Sequence, residues 1–204
     1  MQKRIILILT VFIVLSAILL LLWSAPPTSR FHIPGLSTNH VDCLRNETGD
    51  CFQIPSVTGI DLDSQPVSFP EAFTTETILI VMPFDRDQQV RAETWLPLFQ
   101  ELARDDDRLS YYSVAALPKL NAAVRVLVIG GMSAGLRDPV VRQQMAVLFL
   151  EDQEAFLAAL EIETVDAIQV FIIDSDGTIF WRGAGDYTEA TAQDLKTVLA
   201  DLLE

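Results

Sequence analysis

The sequence predicts an α/β protein, a mixed β-sheet covered by helices on both sides and preceded by one N-terminal transmembrane helix. Three observations carry this: a 19-residue apolar run at Ile5 to Trp23, alternating strand-like and helix-like patterns from Phe52 onward, and a turn signature at Asp174-Ser175-Asp176-Gly177. An alternation of strand and helix that closes on a hairpin and a helix is the pattern of a sheet with helical layers.

The apolar run contains only Thr10 and Ser16 as polar residues. At about 1.5 Å per residue it matches a hydrocarbon core of roughly 30 Å. A cleaved signal has a shorter apolar region and a small-residue cleavage site, whereas here Pro26 and Pro27 follow Ala25 directly. An uncleaved anchor is therefore the reading adopted, with a cleaved signal as its alternative. Lys3 and Arg4 precede the span, which places residues 1–4 in the cytoplasm and the domain outside, periplasmic or extracellular.

Residues 24–56 read as an extracytoplasmic linker, because Pro26, Pro27, Pro34, Gly35, Gly49 and Pro55 interrupt every periodic pattern. It holds the only two cysteines, Cys43 and Cys51. In an oxidising compartment the pair can close a disulfide. Three roles stand open for it: a structural clip, a redox-active pair, or metal ligation with His32 or His40, the only histidines in the chain.

From residue 57 to 204 the elements follow in order. Ile60 to Asp63 and Val67 to Phe69 are short extended pieces, and Ile78 to Met82 is a continuous apolar run suited to a strand buried on both faces. Val90, Trp95, Leu98, Phe99 and Leu102 lie at helical spacing, which predicts a helix from Asp87, as cap, to Arg104. Leu109 to Ala116 is the next strand. Within Asn121 to Arg142, the run Val124 to Ile129 fits strand or helix equally, and Asp138-Pro139 marks a helix start. Ala146 to Leu150 reads as a strand, Asp152 to Leu160 as a helix, and Ile168 to Asp174 with Thr178 to Arg182 as a hairpin. Glu189 to Leu203 closes the chain as an amphipathic helix.

Charge excludes some functions. The formal net charge is −14, and since the first 30 residues contain no acid, the remainder is more negative still. Such a surface repels phosphates, and no basic stripe with interleaved aromatics offers a nucleic-acid interface. Asp105-Asp106-Asp107 reads as a solvated charge run, and Asp174 to Gly177 lacks the later ligands of a calcium loop. Gly130 to Gly135 lacks the Lys-Ser/Thr of a phosphate loop, and Ser133 has no downstream His. Neither a metal nor a cofactor is predicted.

Phe52 to Pro55 with Val67 to Phe69, Val147 to Asp152, and Phe171 to Ile179 occur in an order that resembles the thioredoxin fold, in its redoxin branch. The resemblance implies a proline inside the first long helix, and Pro97 occupies that place. It implies redox cysteines eight and five residues earlier, where Gln89 and Ala92 stand, and a cis-proline before the final hairpin, where Gln169 stands. A redoxin thiolate is stabilised at a helix N-terminus, and glutamine cannot supply one. The hairpin from Ile172 to Gly183 is also similar to that of thioredoxin-like assembly factors of the ATP synthase membrane sector. The expected function is membrane-anchored protein binding or membrane-complex assembly without redox catalysis, with Phe84, Asp85, Arg86, Gln89 and Gln169 contacting a protein partner. The alternative is a thiol-disulfide oxidoreductase that uses Cys43 and Cys51.

Overall fold

The computed structural model describes residues 41–136 and 138–204, so the anchor at 5–23, its flanks, His32 and His40 lie outside the described residues. Thr77–Met82, six residues buried without exception, form β3 at the heart of the sheet. Such a run has no polar face to turn toward water, so both of its faces must be covered. It pairs in parallel with β4 (Leu109–Pro118) and antiparallel with β6 (Gln169–Asp174).

The remaining strands extend the sheet on either side. β1 (Val57–Asp61) and β2 (Pro66–Phe69) form an antiparallel pair joined by a turn in which Asp61 Oδ1 accepts from the backbone N of Asp63 at 2.9 Å and of Gln65 at 2.7 Å. β5 (Met145–Leu150) lies between β1 and β4, and β7 (Ile179–Ala184) pairs with β6. The order is β2-β1-β5-β4-β3-β6-β7. Gly59 of β1 sits where a Cβ would come within 2.8 Å of the Val147 carbonyl, so only glycine lets these two strands approach.

Each face has its own core. On one, Ile78, Ile80, Phe171 and Leu148 pack with Phe156 and Leu160 from the region of α5 (Gln153–Ala159). On the other, Leu79, Val81 and Ile172 pack beneath Ala92, Trp95 and Phe99 and beneath Leu195 and Leu199. Those side chains come from α1 (Gln89–Glu93), α2 (Leu96–Asp105) with its preceding residue Trp95, and α6 (Glu189–Leu203). Val147 and Phe149, farther along the same face, meet Ile129 of α3 (Ala122–Ser133). The short α4 (Pro139–Gln143) leads into β5.

Three sequence expectations change and one open case is resolved. The helix predicted from Asp87 to Arg104 is two helices, because Pro97 has no N–H to offer the Glu93 carbonyl, although Thr94 and Trp95 keep helical dihedrals between them. Its start is held by Asp85, whose Oδ1 accepts from Gln88 N at 2.8 Å, and not by Asp87. The open case at Val124 to Ile129 is helix, started by the Asn121 side chain accepting from Val124 N at 3.0 Å. The described end of the presumed linker is packed onto the sheet: Leu44 N donates to Ile179 O at 2.7 Å, Ile54 N donates to Gly177 O at 2.9 Å, and Phe52 and Ile54 are buried. Proline and polar residues around Phe52 and Ile54 hide two core side chains in a segment without its own periodicity.

Candidate functional site

The loop Pro83 to Gln88 leaves the C-terminal end of β3 and delivers the chain to α1. Met82 pairs with Gln169 across the β3–β6 ladder, so the two sequence-predicted regions, residues 84–89 and Gln169, meet at one end of the sheet. They meet differently from expectation. Phe84 is only 3% exposed and packs into the core, and Gln169 is buried, its Nε2 donating to Ala167 O at 3.4 Å. Neither side chain is available to a partner, which corrects their assignment as contact residues. Asp85 and Arg86 are exposed and Gln89 is half-buried, so these three remain at the surface.

Gln88 is the residue that sequence reasoning missed. It is buried, its Oε1 accepts from Phe84 N at 2.9 Å, and its Nε2 donates to the carbonyl of Val165. One primary amide thus satisfies a donor in its own loop and an acceptor in the segment before β6, which burial demands of both groups. A second tie runs parallel: Arg91 Nε lies 2.5 Å from Asp186 Oδ1, and its Nη1 donates to Asp166 O at 3.1 Å. Trp95, fully buried, donates from Nε1 to Gly185 O at 3.0 Å. Three side chains of the first helical segment therefore fasten it to residues 165–166 and 185–186.

Ala92, at the expected second cysteine position, is fully buried. No cysteine or histidine occurs between Phe52 and Glu204, so the domain body holds neither a thiol nor an imidazole. Among the described residues no cluster of three His, Cys, Asp or Glu side chains could hold a metal ion. What the arrangement offers is a polar, hydrogen-bonding surface of Asp85, Arg86, Asp87 and Gln89. Beside it lies an open groove of ≈ 480 Å³ whose lining includes Leu157, Ile162, Glu163, Val165 and Asp166.

Cys43 and Cys51 form a disulfide with Cα atoms 5.6 Å apart. It clips a turn in which Asn46 Oδ1 accepts from Asp50 N at 2.9 Å and Gly49 takes the left-handed conformation. Leu44, next to Cys43, is bonded to Ile179 at the start of β7, whereas Gln169 pairs with Ala184 at its end. These positions are five residue steps apart along the strand, about 16 Å at roughly 3.3 Å per residue. The disulfide and the loop at residues 84–89 are thus attached at opposite ends of the β6–β7 hairpin.

No family model and no curated relative matches the chain. Among solved structures, a candidate electron transfer protein from Aquifex aeolicus superposes with a TM-score of 0.51 at 10% identity, covering 74% of this chain and 96% of that one. The fold is thioredoxin-like. A thiol:disulfide interchange protein from Bacteroides (TM-score 0.49, 17% identity, 72% and 88% covered) is similar as well. So is BsSco, a member of the Sco family of cytochrome c oxidase assembly proteins (0.49, 13%, 74% and 95%). At such identities the likeness is one of fold. Among the described residues, the one cis peptide bond is Phe69–Pro70, and none precedes Gln169.

Proposed function

We propose that this chain is a single-pass membrane protein with its thioredoxin-like domain outside the cytoplasm, and that the domain binds a protein partner without thiol chemistry. Assembly of a membrane complex is the role this reading favours. The observation that carries it is the condition of the loop after β3. Where a redoxin needs an exposed, activated thiolate, this loop has Gln88 turned inward to Val165 and a surface of Asp85, Arg86 and Gln89. A loop fastened at Gln88, Arg91 and Trp95 is a preorganised surface, and fixing a contact surface beforehand lowers the entropic cost of binding. The apolar run from Ile5 to Trp23 supports the anchor, and the disulfide suits an oxidising compartment.

The test is co-purification from detergent-solubilised membranes, with the unaltered chain compared with an Arg86→Ala, Gln89→Ala variant. The proposal expects one specific protein recovered by the first and lost by the second. Equal recovery, or none by either, would count against it.

A second reading rests on the half-buried state of both cysteines. A disulfide within reach of a partner's thiolate can exchange, and a labile pair has a potential above the roughly −300 mV of structural disulfides. A Cys43→Ser, Cys51→Ser variant that keeps its partner eliminates this reading.

A further inference from the structure

Helix α3 is apolar on two sides. Its inner side places Ile129 on Val147 and Phe149, as a sheet-covering helix must. Its outer side, however, leaves Val126 71% and Leu127 73% exposed, with Ala123, Gly130 and Ala134 exposed along the same stretch. Arg125 is the only charged residue of the helix. A surface helix ordinarily turns charged residues outward, and one that is apolar all round is a helix covered on both sides.

Charge and tether identify what covers it. In a chain of net charge −14, residues 119–150 carry four basic residues, Lys119, Arg125, Arg137 and Arg142, against one acid, Asp138. Lys119 and Arg125 share Glu151, and Arg142 Nε stands 2.9 Å from Asp63 Oδ1. The apolar helix is therefore framed by balanced charge on a molecule that is elsewhere strongly acidic, so this is the side that an anionic surface does not repel. A second copy of the chain would bring another acidic domain with it. Only 17 residues lie between Trp23 and Val41, a reach of at most about 60 Å. A domain so tethered meets its bilayer constantly, at high effective concentration.

We infer that α3 docks on the bilayer surface, with Val126 and Leu127 entering the boundary between headgroups and acyl chains and Lys119, Arg125 and Arg142 at headgroup level. This rests on the membrane-anchored reading given above. Interfacial helices seat their apolar face about 5–10 Å into that boundary, and their binding grows with buried apolar area and attraction to anionic lipid.

The test uses the full chain in vesicles of phosphatidylcholine and phosphatidylglycerol, with Leu127→Trp compared with Val90→Trp, an exposed position on α1, each as a difference from the parent. Docking predicts that Trp at 127 is quenched by lipids brominated near the headgroup end of the acyl chain. It also predicts that acrylamide quenches Trp at 127 about threefold less than Trp at 90, as insertion at that depth requires. If the vesicles float with the protein and both tryptophans are equally open to acrylamide, docking is overturned and the anchor stands. Shielding at 127 without bromine quenching would mean that protein covers the helix, which also overturns it. A chain that fails to float with the vesicles overturns the anchor and the docking together.

Discussion

Gln88 and Val165, 77 positions apart in sequence, are joined by a side-chain amide donating to a backbone carbonyl, and the same amide accepts from Phe84 N at 2.9 Å. This residue closes the loop between β3 and α1. Replacing it with alanine leaves a buried N–H at Phe84 and a partly buried C=O at Val165 without their partner, the first especially costly to strand. Gln88→Ala is expected to lose about 2 kcal/mol of stability, read as a melting temperature lower by roughly 4–8 °C. Gln88→Glu keeps the acceptor but cannot donate at neutral pH, so it should be at least as unstable at pH 7.

The approach of β1 to β5 depends on Gly59. A Cβ there would meet Leu148 Cδ2 at 2.7 Å and the Val147 carbonyl at 2.8 Å, and backbone cannot yield as a side-chain tip does. Gly59→Ala is expected to cost about 1–3 kcal/mol by overpacking, measured by urea denaturation with an unchanged slope.

The disulfide constrains a short loop, so its loss acts chiefly on the unfolded chain. Cys43→Ser, Cys51→Ser should remain folded, since Leu44, Phe52 and Ile54 keep their bonds to the β6–β7 hairpin, with a stability loss of about 2.5 kcal/mol. Loss of the native circular dichroism spectrum in that variant would show that the clip is needed for the fold itself.

Glu151 is held below its ordinary value of 4.5 by the hydrogen bond from Lys119, with the nearby charges of Lys119 and Arg125 adding to it. A carboxylate whose folded pKa is depressed stabilises the protein above its unfolded value and loses that contribution as pH falls through the folded value. The stability difference between the unaltered chain and Glu151→Gln should therefore be full near neutrality and shrink only at acid pH below 4.5, as the pH falls through the depressed folded value. Because the pair is exposed, added salt should shrink the difference.

Much of this architecture is legible in the sequence where one cause acts alone. The apolar run Ile78 to Met82 suits a doubly covered strand, and β3 is one. Asp174 and Gly177, with Asp174 Oδ1 accepting from Thr178 N at 2.8 Å and Gly177 at a φ of +85°, announce their turn by residue type. Legibility fails where the cause is distant. Nothing local distinguishes Gln88 from Gln89, since what buries one of them is a carbonyl 77 residues away. Helix α3 is ambiguous because apolar residues on both its sides erase the period that separates helix from strand. The β3–β6 register brings Phe84 and Gln169 to one end of the sheet, but which way each side chain turns is settled by packing.

Binding through the surface at Asp85, Arg86 and Gln89, without thiol exchange, is tested most directly by photo-crosslinking in native membranes. A crosslinking residue would be placed at 86 or 89, with position 193 on α6 as control, in both the unaltered and the Cys43→Ser, Cys51→Ser backgrounds. The expected result is one specific protein adduct from 86 or 89, absent from 193 and unchanged in the serine background. Absence of any adduct from 86 and 89, together with a partner trapped as a mixed disulfide by Cys43→Ser alone or Cys51→Ser alone, would contradict it.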